Sequence, residues 1–149
     1  MRVRLLEARD RSAWAQMRAA LWPDEDADLL GHETLMHFSG TPLGEAVFVC
    51  EDKDDALCGF LELRLRPYAE GCASSPVPFI EGWYVAPAAR LKGAGRALVA
   101  AAENWALVRN FNEIASDTQL DNTRSQAAHE ALGYEEVDRL VVFRKSLRV

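Results

Sequence analysis

The chain has little cysteine, no long apolar run and no excess of positive charge, and each shortage removes a class of protein. Its three cysteines, Cys50, Cys58 and Cys72, are odd in number and lack metal-type spacing. That pattern fits a reduced, cytoplasmic chain with no structural zinc. His32 and His37 add no metal spacing. No run reaches the roughly 18 apolar residues of a membrane-spanning helix. The opening MRVRLLEARDRSAW has no apolar signal region followed by a small-residue cleavage site, so nothing in it argues for export. A formal net charge of −6 speaks against a general nucleic-acid binder and for a cationic partner.

What is present is ordinary in bulk and informative in pattern. At 149 residues, 49% of them hydrophobic, the chain has the size of one domain with a real core, spanning 1–149. RVRLLEA alternates as a strand. Asp10 and Ser12 offer caps to a helix with Trp14, Met17 and Leu21 on its apolar face, ended by Pro23. The acidic PDEDAD, a solvated face or a lure for a polycation, leads into a second helix around Leu29 to Phe38. EAVFVCED and FLELRLR read as a hairpin, and PYAEGCASSPVP reads as a flexible loop. FIEGWYV is the next strand. Leu98, Val99, Ala102, Trp105 and Ala106 mark an amphipathic helix, and EIASDT a short strand. Asn122 caps a helix that runs to Leu132, with Gly133 just past its end. YEEVDRLVVFRKSL closes the chain as one or two strands. The order predicts a mixed α/β domain in which FIEGWYV and EIASDT lie side by side and parallel.

Between FIEGWYV and the amphipathic helix stands ARLKGAG, residues 89–95. It is not a P-loop, because the Gly-Lys-Ser/Thr triplet is missing. It is not a dinucleotide fingerprint, because no third glycine follows Gly93 and Gly95 at the required spacing. A turn that opens a helix at the C-terminal end of a strand nevertheless makes an anion cradle. Backbone N–H groups of residues 91–96 would face the anion, Gly93 and Gly95 would permit close approach, and Arg90, Lys92 and Arg96 would add charge.

Arg90-Leu91-Lys92-Gly93-Ala94-Gly95, after a strand ending WYVAP, resembles the Arg/Gln-x-x-Gly-x-Gly/Ala signature of the GNAT N-acetyltransferases. Asn122 and Gly133-Tyr134 resemble that superfamily's second cofactor-contacting segment. RAALWPD, EGWYVAPAARLKGAG, AAENWA, EIASDTQLDNTRSQAAHEALGY and VVFRKSL are, more narrowly, similar to the chromosomal aminoglycoside 6′-N-acetyltransferases. The resemblance spans the whole chain. RNFNE at 109–113 departs from it, since relatives tend to carry a glycine there.

The resemblance implies a GNAT fold, with a mixed central sheet of six to seven strands flanked by about four helices. It implies acetyl-CoA as cofactor, its pyrophosphate on Arg90, Leu91, Lys92, Gly93, Ala94, Gly95 and Arg96, and its pantetheine arm near Asn122. It also implies direct attack of an amine on the thioester, with the backbone N–H of Val85 as oxyanion donor. Glu81 is the candidate for taking the amine's proton; the alternative is a side chain alternating out to solvent. Asp117 and Glu136 are candidates for gripping a polycationic aminosugar, against a solvated carboxylate for each. Trp22 and Tyr68 would wall the acceptor site, and Trp22 reads as well as a core residue. At 129 many relatives carry a proton-donating tyrosine. His129 stands there as a replacement acid or as a packed ring. A homodimer is implied by the same analogy. Acetylation of another small polycation or a protein amine, and a non-catalytic acyl-CoA-binding module, are the competing readings.

Overall fold

A computed structural model describes residues 1–148. They fall into two compact units, Met1–Asp117 and Thr118–Val149. The first is built on one sheet whose strands lie in chain order: β1 (Arg2–Leu5), β2 (Ala46–Glu51), β3 (Leu57–Arg66), β4 (Val77–Val85) and β5 (Ala115–Ser116). The first three pairings are antiparallel and β4–β5 is parallel, as expected for FIEGWYV and EIASDT. At the β2–β3 turn the Asp52 carboxylate accepts the N–H groups of Asp54 and Ala56, at 2.8 and 3.1 Å. An acidic side chain bonding back to its own loop is what makes KDDA turn rather than extend.

Helices cover both faces. Phe60 on β3 turns toward α1 (Arg11–Leu21), packing with Trp14, Met17, Val47 and Val49. Its neighbour Gly59 faces α3 (Ala94–Val108), where Leu98 lies against it. This double cover buries all six residues of β2, hence its apolar run from Ala46 to Cys50; the sixth, Glu51, is a carboxylate bonded by Arg2 and Arg4. Asp26 caps α2 (Ala27–Phe38), accepting from the N–H groups of Asp28 and Leu29. One member of the acidic run therefore has a local structural task. Asp10 stands at the N-cap position of α1 without making a side-chain cap. Its carboxylate instead takes both Arg4 guanidinium nitrogens, at 2.8 and 2.9 Å, and the Glu7 N–H.

The second unit holds α4 (Thr123–Ala131). Asn122 accepts the Ser125 N–H at its start, and Gly133, at φ +89°, follows its end. The expected closing strands are absent among the described residues, so the sheet has five strands rather than six or seven. Strand propensity needs a neighbour to accept its hydrogen bonds. The apolar Val141, Val142 and Phe143 stand 77, 87 and 88% exposed.

A buried ion pair joins three of these elements. Arg18 on α1 donates to Glu62 of β3 at 2.8 Å and to the Leu30 carbonyl of α2 at 3.1 Å. The Trp14 indole N–H also reaches Glu62, at 3.1 Å. Burial pushes the Glu62 carboxyl up, and Arg18 and Trp14 pull it back. Glu62→Ala would strand the Arg18 charge in the core, and urea unfolding is expected to register a loss of about 3–5 kcal/mol. Asp10 behaves oppositely. The Arg4 guanidinium holds its carboxyl below the ordinary range, so its contribution is full above the unfolded-state pKa and lost as pH falls through the lower folded one. The stability gap between wild type and Asp10→Asn should shrink as pH drops below about 4, read from denaturation at stepped pH.

Candidate active site

The site begins where β4 loses one neighbour and slips against the other. On one side Glu62 lies opposite Gly82 while Leu63 lies opposite Ile80, leaving Glu81 as an extra, bulged residue of β4. On the other side β5 pairs only with Phe79 and Ile80, and from Glu81 onward it gives β4 no partner. A bulge re-aims side chains, and an ended neighbour opens the sheet at the C-terminal ends of parallel strands, where α/β folds place ligands.

Glu81 does not point to open solvent. Arg66, the last residue of β3, grips both of its carboxylate oxygens, at 2.8 and 2.6 Å. The Arg66 guanidinium lies 3.6 Å over the Phe79 ring on the way. Ala115 sits beside Phe79, so Asp117, two residues on, continues along that face toward Glu81. Arg66 is held more firmly protonated by the Glu81 carboxylate first, with burial opposing and Asp117 and Glu70 adding their negative charge. Glu81 bonds the guanidinium directly, and Asp117 adds to the negative field around it.

Trp22, just after α1, packs edge-on to Phe60 at 6.3 Å, with Arg18 over its ring at 5.0 Å. A Cβ on Gly82 would come within 2.9 Å of that indole. Trp22 therefore packs with the core, and it rests on the strand position next to Glu81. Tyr68 is 67% exposed. It belongs to the loop read as flexible, which is in fact pinned. Glu113 accepts the N–H groups of Ala73 and Ser74, at 3.0 and 2.8 Å, and Ala69 is buried with Val77 and Phe79.

The Val85 backbone looks into the opening. Ala86 N–H donates to Cys58 on β3 at 2.8 Å, so by strand alternation the N–H and carbonyl of Val85 face away from β3. Its carbonyl accepts from Arg90 at 2.9 Å, which fixes the glycine loop to the strand end. Leu91 and Gly93 are left-handed, at φ +63° and +94°, a cost for leucine on the order of 1–3 kcal/mol. The first bond of α3 runs from Ala97 N–H to the Gly93 carbonyl, at 3.0 Å. The N–H groups of Ala94, Gly95 and Arg96 therefore precede the helical ladder and project from a helix N-terminus. Gly95 has a packing reason as well as the one expected. A Cβ there would meet the Trp83 indole at 3.2 Å, so its smallness serves packing, and the turn rests on Gly93. Lys92 and Arg96 are exposed beside it.

In the second unit, Asn122 uses its side-chain oxygen as the cap of α4. His129 Nδ1 stands 2.7 Å from the Ser125 carbonyl. A carbonyl only accepts, so Nδ1 carries the proton and Nε2 of the neutral ring is the acceptor. Tyr134 meets the His129 ring edge-on at 5.8 Å. Glu136 is exposed and paired with Arg139, which holds its carboxyl below the usual range. Among the described residues no metal-binding cluster of His, Cys, Asp and Glu forms.

The family model described as "Acetyltransferase (GNAT) family" matches residues 8–134. The chain belongs to the GNAT acetyltransferase family. It is 47% identical to an aminoglycoside N(6′)-acetyltransferase type 1 of Klebsiella aerogenes, covering 97% of this chain and 96% of that one. It is 45% identical to the enzyme of the same name from Stenotrophomonas maltophilia, over 93% and 88%. Among solved structures, AAC(6′)-Iy in complex with the bisubstrate analog CoA-S-monomethyl-acetylneamine superposes with TM-score 0.87 at 34% identity, covering 97% of both chains. Apo AAC(6′)-IG from Acinetobacter haemolyticus gives 0.86 at 32%, over 99% and 100%.

Within this GNAT framework, Arg66 and Glu113 have no place among the sequence-derived candidates. For Arg66 a signal existed: FLELRLR alternates, which sets it on the face of Phe60 and Glu62. For Glu113 none did, because its partners lie about 40 residues away. Gly82→Val should drive Trp22 off the strand and cost about 1–3 kcal/mol. In a double-mutant cycle, adding Trp22→Ala should recover much of that loss; simple additivity would show that the two do not press on each other.

Proposed function

We propose that this chain is an acetyl-CoA-dependent N-acetyltransferase acting on the 6′-amine of aminoglycosides, working over 1–149 as one domain. The observation that carries the reading is the pair Glu81 and Asp117, at the point where β4 outruns β5. The near-full-length likeness to proteins named for this activity supports it, as does a family match running through both compact units.

The cofactor fits the residues present. The projecting N–H groups at the start of α3, the left-handed Gly93 and the exposed Lys92 and Arg96 make a cradle for a pyrophosphate. When bound, acetyl-CoA supplies the activated acetyl group. The chain's own part is to hold amine and acetyl carbon together, which removes much of the entropic barrier. The Val85 N–H, turned away from β3, would donate to the thioester oxygen when acetyl-CoA is bound. Glu81 takes the amine's proton, directly or through water. In the first unit Asp117 would grip the remaining ammonium groups, with Trp22 and Tyr68 as walls for the acceptor; of the second unit's residues, Glu136 would serve the ammonium groups and Asn122 the pantetheine arm. His129 accepts the role of acid only in its doubly protonated form, since its neutral Nδ1–H is spent on Ser125.

The same reading has the enzyme in the cytoplasm, free of nucleic acid and membrane; no helix of the described residues is long and apolar enough to cross a bilayer. It also makes the enzyme a homodimer. The strand-like, exposed Val141, Val142 and Phe143 supply a surface that a second copy would cover.

Acetyl-CoA consumption with kanamycin, tobramycin, spermidine and a basic peptide tests the acceptor. Turnover on the aminoglycosides is expected; turnover on spermidine alone would reassign the enzyme. Gly93→Val, which forces a branched residue to φ +94°, should raise the acetyl-CoA KM by about tenfold or more. An unchanged KM would mean that the cofactor lies elsewhere.

A further inference from the structure

Arg66 bonds both oxygens of Glu81, at 2.8 and 2.6 Å, and an ammonium group that approached the same edge of the carboxylate would have to take the guanidinium's place. Resting on the function proposed above, we infer that Arg66 is a resident stand-in for the acceptor's ammonium group, displaced when a polycationic acceptor arrives, and that it sets the acceptor's KM.

Three features of the pair support an exchange rather than a permanent bridge. The Arg66 side chain is 38% exposed against 22% for Glu81, so the guanidinium has solvent to move into. This contrasts with Arg18 and Glu62, whose side chains are 4% and 8% exposed and which have nowhere to go. The stack on Phe79, at 3.6 Å, gives the departing side chain a surface that does not depend on Glu81. The local charge favours a multiply charged newcomer as well. Glu81 bonds the guanidinium, with Asp117 and Glu70 adding further negative charge. An acceptor that presents several ammonium groups to both carboxylates gains more than Arg66 can, whereas a monoamine replaces one cation by another with no surplus.

The guanidinium has a second effect while seated. It holds the Glu81 carboxylate in one orientation, so that side of the site is preformed before the acceptor binds.

Two measurements on the full chain test this. In steady-state kinetics with tobramycin at low ionic strength, Arg66→Gln should lower the acceptor KM about three- to fivefold, with the acetyl-CoA KM unmoved. Arg66→Lys, which keeps the charge but gives up the bidentate grip, should give a KM between the two. A higher or unchanged tobramycin KM in Arg66→Gln, with urea midpoint and acetyl-CoA KM intact, overturns the inference. The second measurement needs no variant that might misfold. The Nε–H resonance of Arg66 in the 15N-labelled wild type should lose protection from exchange as tobramycin is titrated in. A resonance that stays put at saturating tobramycin overturns displacement. Wild-type inactivity on every aminoglycoside would strike down the functional reading and this inference together. Wild-type activity with an unmoved Arg66 would strike the inference alone.

Discussion

Glu62 is a carboxylate in the middle of a sheet covered on both faces, and Arg18 is what makes its position tolerable. The guanidinium bonds Glu62, reaches the Leu30 carbonyl and lies over Trp22, so a single buried cation ties α1, α2 and β3. The arrangement also sets up the site. Glu62 lies opposite Gly82, and the step to the next pair leaves Glu81 bulged. An isolated buried charge costs several kcal/mol; spreading its partners over three elements turns that cost into a constraint on how they assemble.

The second constraint is a mismatch of lengths. β4 has nine residues and β5 two, so most of β4 emerges beyond its parallel neighbour with backbone groups turned into the opening. Arg90 holds one of these, the Val85 carbonyl, and thereby fixes the glycine turn against the strand. The anion cradle and the backbone donor are two ends of one strand–turn–helix connection. Their spacing is set by backbone geometry rather than by flexible side chains, which suits a reaction driven by positioning. Glu81 and Arg66, by contrast, are flexible charged side chains that hold each other.

Much of this layout was legible because it depends on local pattern. Alternation in FLELRLR, the three-and-four spacing of Trp14, Met17 and Leu21, and Gly93 and Gly133 at helix boundaries each carry their meaning within a few residues. The misreadings have a common cause. LVVF has strand composition, yet no described neighbour pairs with it. PYAEGCASSPVP has loop composition, yet Glu113 holds it down. Each was decided by a residue distant in the chain.

By itself the sequence determined the element order, the single GNAT-type glycine turn and the identity of the acidic candidates, since composition, periodicity and turn chemistry are local properties. Only the tertiary structure decided what those candidates touch. Glu81 acquired Arg66 because the hairpin register brings the end of β3 over Phe79, and Asp117 follows the short strand whose Ala115 pairs beside Phe79. Charge pairing follows from register and bulge. A single unpaired residue in β4 redirects a side chain, and no pattern within FIEGWYV records that displacement.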